Sequence, residues 1–519
     1  MKPGSEQEFL IIGSGFGGAF SALELAKAGR DVLIIERGVW PERDDSCWDE
    51  DRLHFPSPKY RGHTPILVDQ WGGSLQQIWP EDTVGGMSPM YGAAAFRMRK
   101  EDFFGTPMES SPGRDSSTAW PITYGEMEPF YSRAENIQNV AGIEGEDITE
   151  PERSSPFPQP PPKLPPLPKR LWEAAEDLGL HPTRIPLAIN FDGKSPGQKC
   201  ILCDTCDKFL CKIEAKNDLS VVGLPEAMRH GARLLSDTRA VRINVSGGRA
   251  VSVDVINQTS GERQEIRAQN IILACGALAT PHLLLASGIR SSGGGGQLLG
   301  QGLMRHINSV VAGLRPSRVN PNRQLHKLLW IPDFYHGDPA RKRKPDGPWG
   351  MIQQIQIPGK RLLQVNSPRG LKTLSGAVRP FLMGLLNIAE DVRQESNRVF
   401  PDPAKSDKFG QPLMRVFHRY SARDVKARKA LEREAGKILR RAGALPVHTY
   451  AVESFSHAYG TCRFGKDRAS SVLDPACRMW GFENLFVVDA SVMPSGGSVN
   501  PSLTIAANAL RVTEAILNP

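Results

Sequence analysis

The sequence predicts an α/β fold in which a parallel-sheet domain is assembled from separated segments around an inserted antiparallel-sheet α+β domain. Three observations predict it. Residues 9–36 alternate strand, helix and strand. Beyond His306 the pattern changes to longer, antiparallel-looking strands. A buried strand of the first kind returns at Leu485, ahead of a final helix from about Ser502. At about 150 residues per domain, 519 residues leave room for two or three domains. The expected segments are 1–150 for the first part of the parallel-sheet domain, 151–168 for a connection, 169–304 for the second part, 305–449 for the inserted domain and 450–519 for the third part.

The elements follow in order. Phe9 to Ile12 is a short apolar run, Ala19 to Ala28 a helical pattern of small and apolar residues, and Asp31 to Glu36 a second apolar strand. A polar, irregular stretch continues to about residue 80. Residues 151–168 hold nine prolines and read as an extended surface connection, and a helix restarts near Lys169. From Ala232 to Ile256 the pattern is β-rich, with Val241, Ile243 and Val245 alternating before a Gly247-Gly248 turn; Ile271 to Ala274 is another buried strand. Gly294 to Gly296 mark a boundary. Four apolar runs between His306 and Glu390 read as strands of a second sheet, and a charged helix spans about Ala422 to Ala442.

Composition excludes several classes. Hydrophobic residues make up 40% and charged residues 23%, ordinary for a globular chain and unlike a disordered one. Lys and Arg outnumber Asp and Glu by eight, too few in this length to imply nucleic acid. The one dense basic run, Arg341 to Lys344, reads as a solvated loop. Phe381 to Ile388, the most apolar stretch, is far shorter than the roughly 20 residues of a membrane span. No secretory signal precedes the first strand, so the expectation is a cytoplasmic protein without persistent disulfides.

The strongest local signal is Gly13-Ser-Gly15-Phe-Gly-Gly18, between a strand and a helix. The first glycine makes the turn, Gly15 lets the backbone approach a pyrophosphate, and Gly18 lets helix and strand pack closely. Glu36 ends the second strand 23 residues beyond Gly13, where its carboxylate can accept hydrogen bonds from an adenosine ribose. This is a Rossmann-like dinucleotide site, and the motif alone does not separate FAD from NAD.

Further marks lie downstream: Gly85-Gly86-Met-Ser88, Gly276-Ala-Leu-Ala-Thr280-Pro281 through Gly288, His457-Ala-Tyr-Gly460-Thr461, and the run from Asn484 through Asp489 to Asn500-Pro501-Ser-Leu-Thr504. Together they resemble the glucose–methanol–choline (GMC) flavoprotein oxidoreductases. Arg290 departs from the glycine of many members, and the likeness weakens across 305–449. The resemblance implies a Rossmann-like, discontinuous FAD-binding domain and an inserted substrate domain. The reaction it implies is oxidation of an alcohol by hydride transfer to flavin, with O2 or a quinone-like acceptor taking the electrons. It makes His457 the base and Asn500 the holder of the substrate oxygen. Removing hydride from a C–OH carbon requires the hydroxyl proton to leave, and a histidine of ordinary pKa about 6.5 suits that task near neutral pH.

The resemblance places Phe16, Gly86, Ser88, Met90, Val241, Asp489, Ala490, Pro501 and Thr504 at the cofactor. Asp489 would accept hydrogen bonds from the ribityl hydroxyls, and the positive end of the helix after Pro501 would face the pyrimidine edge of the isoalloxazine. Several members attach the flavin through a histidine two residues after the serine of this loop. Met90 stands there and cannot form that bond, so the FAD is expected to be non-covalent.

Cys200, Cys203, Cys206 and Cys211 imitate ferredoxin ligation in their first spacings, but the fourth is one residue too long. Free thiols or one disulfide are the default and no metal is expected; the alternative is a cluster relaying electrons to a membrane partner. The phrase from Cys200 to Lys216 is most similar to the bacterial pyranose and glycoside oxidases of the family. Gln354 and Gln356 fall on one face of a strand by alternation and are the candidate substrate-binding amides, against an edge-strand reading. The substrate expected is a secondary hydroxyl of a sugar or glycoside. The alternatives are a sterol, a long-chain alcohol or an amino sugar with the same machinery, or a lyase or decarboxylase that keeps the flavin without net oxidation.

Overall fold

Four apolar residues, Val32–Ile35, are buried on both faces, and the strand they form lies inside a sheet covered on both sides. In the computed structural model, which describes residues 6–518 apart from 70–73, 110–112, 291–293, 338–347, 368–369, 371 and 446, this strand pairs in parallel with Gln7–Ile12 and Arg233–Leu235. Gln7–Ile12 pairs on its other side with the eleven-residue strand Arg263–Leu273. The second half of that strand runs parallel to Gln7–Ile12 and Leu485–Val487, while its first half pairs antiparallel with Arg249–Asn257, which continues to Thr238–Ser246. Its burial changes accordingly, from alternation over the hairpin to three fully buried residues at the end. The basic run Arg341 to Lys344 lies outside the described residues.

The helix Phe16–Lys27 follows the first strand and packs on the C-terminal helix Ser502–Leu517. The small residues Gly17, Gly18, Ala19, Ala22 and Ala26 let the first helix sit close to its surroundings. Each fully buried Leu, Ile or Phe of this core contributes about 1.5–3 kcal/mol against exposure.

A second sheet of six strands is antiparallel throughout, in the order Val447–Val452, Ile307–Leu314, Leu382–Ala389, Met351–Gln354, Leu329–Ile331 and the short Thr183–Arg184. Alternation gives it two faces. Trp330, Met351 and Ile388 join the large core of the parallel sheet, while Ile331, Ile352 and Leu385 join a second core beneath the helix Ala422–Arg441. That helix opens with Ser421 and Asp424 capping one another's backbone and ends on Arg440 and Arg441, which suit the negative end of its dipole. Its apolar stripe, from Ala427 through Leu431 to Ile438, faces the sheet. The helix Pro166–Glu176, in the stretch read from the sequence as the second part of the parallel-sheet domain, buries Leu171 and Ala175 in this second core.

The polar stretch before residue 80 holds a feature the sequence reading left irregular. Ile66–Asp69 and Leu75–Ile78 form a hairpin, and Ile66–Asp69 pairs in parallel with Pro412–Phe417, itself paired with Arg398–Ser406. Four-residue strands carry too little period to read, and their partner lies over 300 residues away. Among the described residues no helix is long and apolar enough to cross a membrane.

Candidate active site

The glycine-rich turn separates what the protein requires of itself from what it leaves open. A Cβ on Gly13, which has φ +101°, would meet the Ala274 carbonyl oxygen at 2.4 Å, and one on Gly18 would meet the Gly13 oxygen at 1.9 Å. Gly15 is different: a Cβ there would meet nothing within 4 Å. The space beside it is open, and Gly15 is the N-cap of a helix whose first N–H groups no side chain caps. An anion fits there.

Around this turn the other cofactor candidates are knitted together. Glu36 is buried, and its carboxylate accepts from Ser14 N at 2.9 Å, Ser14 Oγ at 2.6 Å and Gly38 N at 2.7 Å. Burial pushes its pKa up against these hydrogen bonds. The Ser14 hydroxyl also accepts from Gly85 N at 2.9 Å, which ties the first turn to the Gly85-Gly86 loop. Ser88 donates its hydroxyl to the Gly85 carbonyl and accepts from Leu219 N, so it shapes that loop from within. Phe16 packs against Tyr91 with ring centroids 5.7 Å apart, and Val241 is buried in the strand Thr238–Ser246. Met90 is buried in a small cluster with Cys47, Tyr60 and Phe209. Asp489 accepts from Gly276 N at 2.9 Å, Thr280 Oγ1 at 2.5 Å and Ser491 N at 2.8 Å; it holds the start of the helix Gly276–Ala286 against the end of the strand Leu485–Val487. The Ala490 carbonyl accepts from Gly460 N, three residues after His457. Pro501 is the N-cap of the C-terminal helix, again without a side-chain cap, and Thr504 Oγ1 bonds the Tyr131 hydroxyl at 2.8 Å. Two open helix N-termini and a buried acid at a strand end fit the phosphate, ring and ribose of an FAD.

His457 and Asn500, 43 residues apart in the chain, meet with Nε2 and Nδ2 at 3.4 Å. The other ring nitrogen, His457 Nδ1, lies 2.9 Å from Nδ1 of His306, and the two rings stand edge to face. An amide nitrogen only donates, so Nε2 of His457 accepts. Nδ1 then carries the proton and donates it to His306, whose own proton is on Nε2. The lone pair of His457 Nε2 therefore points toward Asn500, whose Oδ1 is buried without a protein partner. His306 was not singled out from the sequence. It is a lone histidine ahead of a strand, and only the fold brings it to His457.

Electrostatics keep both imidazoles neutral. Burial, assisted by the Lys327 ammonium, pushes His457 down to about 4, and burial beside His457 pushes His306 well below its ordinary value. The sequence expectation of a base titrating near 6.5 is corrected accordingly. Lys327 itself pairs with Asp207 at 2.8 Å, and Asp207 Oδ2 is buried with no partner.

Of the two candidate substrate glutamines, only Gln354 lies on the strand. The strand ends at Gln354, which is buried; its Oε1 accepts from Leu328 N at 3.3 Å. Gln356 is beyond the strand and holds the cysteine-rich loop. Its Oε1 accepts from Cys206 N at 3.0 Å and Asp207 N at 3.3 Å, and its Nε2 donates to the Asp204 carbonyl. Alternation could not reveal this, because it assumes a strand that continues. The same loop is clamped from below by the buried Lys216, which donates to the carbonyls of Tyr91, Cys206 and Phe209 at 2.9, 3.1 and 2.7 Å. All eight cysteines are free. Burial pushes the Cys200 thiol up to about 12 and Cys206 well above its ordinary value, which disfavours thiolates. Among the described residues no group of three His, Cys, Asp or Glu side chains is arranged to hold a metal.

The chain is similar to known proteins over nearly its whole length. Residues 153–308 and 394–509 match the N- and C-terminal models of the GMC oxidoreductases. The chain is 28% identical to 6'''-hydroxyparomomycin C oxidase of Streptomyces lividus, over 99% of this chain and 93% of that protein. It is 29% identical to paromamine 6'-oxidase of Streptomyces fradiae, over 98% and 91%. Among solved structures, pyridoxine 4-oxidase from Mesorbium loti has the same fold with a TM-score of 0.65, at 20% identity, over 99% of this chain and all of that one.

Proposed function

Because the chain belongs to the GMC oxidoreductase family, and so is an FAD-dependent enzyme acting on CH–OH groups, we propose that it oxidises a secondary hydroxyl of a sugar or glycoside to the carbonyl. The observation that carries this reading is the neutral His457, with its Nε2 lone pair turned toward Asn500 and its Nδ1 proton held by His306. Gly13 to Gly18, the Gly85-Gly86 loop and Glu36 would hold the nucleotide half of a non-covalent FAD in a Rossmann-like domain, and the uncapped helix after Pro501 would hold its ring. The bound FAD supplies the hydride acceptor. The chain supplies the rest: Asn500 holds the substrate oxygen, and His457 Nε2 takes the hydroxyl proton as the carbon loses hydride. The alcohol thus loses one proton and one hydride and becomes a carbonyl.

A second reading, oxidation of an amino sugar, is supported by the two relatives named for paromomycin- and paromamine-type compounds and by the unpartnered Asp207 Oδ2, which can accept from an ammonium. One experiment separates the readings. A panel of neutral glycosides, paromamine-type amino sugars and sterols is mixed anaerobically with the enzyme, the loss of flavin colour is followed, and air is then admitted to read reoxidation. Bleaching by neutral glycosides supports the first reading and bleaching by amino sugars alone supports the second. An enzyme that no alcohol bleaches carries out neither.

A further inference from the structure

The four residues ahead of Val499 and Asn500 are fastened by buried groups that the proton transfer leaves unused. Gly496 and Gly497 both donate their backbone N–H to Glu390 Oε1, at 3.1 and 3.0 Å. Ser498 donates its N–H to the Tyr335 hydroxyl at 2.9 Å, and its own hydroxyl accepts from Glu390 N at 3.1 Å. Ser495 donates to the Asp102 carbonyl at 2.5 Å. Behind this contact, Arg114 reaches Glu390 Oε2 at 2.7 Å and Asp102 Oδ1 at 2.6 Å, and Tyr335 donates to Asp102 Oδ2 at 2.7 Å. Glu390, Asp102 and Tyr335 are each no more than 1% exposed.

Such an arrangement costs more than it needs to if packing is its only task. Two carboxylates share one guanidinium, and a well-packed apolar cluster would hold the same volume without the desolvation of buried charge. Hydrogen bonds differ from apolar packing in fixing direction. Each of Gly496, Gly497 and Ser498 has a fixed peptide N–H, and both glycines are required by close approach. A Cβ on Gly497 would meet Asp102 Oδ2 at 2.5 Å, and one on Gly496 the Tyr459 ring at 2.6 Å. The segment fixed in this way ends two residues before Asn500 and four before the C-terminal helix.

We propose that Glu390 is a positioning residue for alcohol oxidation: by holding the Gly496 and Gly497 peptides it sets Asn500 at hydrogen-bond distance from His457. Because Glu390 follows directly on the strand Leu382–Ala389, the inserted sheet takes part in aligning the groups that act on the alcohol. The inference rests on the reading of His457 and Asn500 given above.

Its test compares Glu390→Gln with Glu390→Ala in the FAD-loaded enzyme. Both remove the charge that faces Arg114, so both lower Tm. The glutamine oxygen can still accept from the two glycine N–H groups, whereas alanine cannot. Glu390→Ala should therefore slow anaerobic flavin reduction by about 10- to 100-fold, the scale of an ångström misplacement, with KM within about twofold of the native value. Glu390→Gln should recover most of that rate without recovering Tm. Equal rates in the two variants, or rates that follow Tm, overturn the proposal. If Glu390→Ala does not fold, Tyr335→Phe decides: loss of the Ser498 anchor should slow reduction several-fold with FAD retained, and a native rate there overturns the proposal. A native enzyme that no alcohol reduces defeats the underlying reading; a native enzyme that is reduced, with Glu390→Ala equally fast, defeats this inference alone.

Discussion

A histidine that stays neutral down to about pH 4 can take a proton at any pH where most enzymes work. The sign follows from the chemistry. Protonated His457 cannot act as a base, so activity falls as pH drops through its pKa, and a depressed pKa moves that fall to lower pH. Flavin reduction at saturating alcohol should be flat from about pH 6 to 8 and decline only near pH 4, instead of near the 6.5 of a solvated imidazole. Lys327→Met should move the acid limb upward, because it removes the ammonium that opposes protonation; rapid-mixing pH profiles of both proteins check this. His457→Ala should keep its FAD and lose about 10²- to 10⁴-fold in reduction rate, roughly 3 to 5 kcal/mol. Asn500→Ala removes one hydrogen bond and should lose less, about ten- to a hundredfold. If His457→Ala reduces its flavin at nearly the native rate, the imidazole has no part in the chemistry. His457 and Asn500 were legible in the sequence because each sits in a composite motif. His306, with its partner 151 residues away, was not.

At the scale of elements, the contrast between Gly15 and Gly18 is directly testable. Gly15→Ala adds a methyl to open space at φ −66°, a conformation alanine accepts, so the protein should fold with near-native Tm and hold FAD more weakly. Gly18→Ala drives a methyl into the Gly13 carbonyl and should lower Tm and FAD content together. Equal Tm losses in the two variants would mean that the space beside Gly15 is not open in solution. Strands with strong local pattern, such as Ile307–Leu314 and Leu382–Ala389, were readable because their own residues carry the apolar signal. The hairpin at 66–78 was not, since its short strands are completed by residues 412–417. Gln356 shows the same limit: its amide is committed to a loop that no periodicity connects to it.

For the whole molecule, the Met90 position and its burial among Cys47, Tyr60 and Phe209 lead to one expectation. Acid precipitation should release the flavin into the supernatant, with a spectrum unchanged by denaturation; colour that stays with the pellet would show a covalent link formed elsewhere. The two largest sheets were legible as a change of strand style. What was not legible is how strongly residues 307–452 are stitched to the rest, through Glu390 and Tyr335 on one side and Gln356 on the other.

The strand Arg263–Leu273, antiparallel at its start and parallel at its end, also sets a timetable. Its first half can pair with Arg249–Asn257 as soon as that hairpin is made, because the partners are neighbours in sequence. Its second half meets Gln7–Ile12 only after some 250 residues have intervened, and Leu485–Val487 only after more than 200 further residues. At about 5–20 residues per second, the ribosome takes roughly 10 to 40 s to pass from Leu273 to that strand. Throughout that interval the edge of Arg263–Leu273 awaiting Leu485–Val487 is bare, and the wall that Val488 forms behind Gly17 does not exist. Capture of the dinucleotide is therefore a late event of biogenesis, and until then the nascent chain depends on whatever shields an unpaired edge from its neighbours.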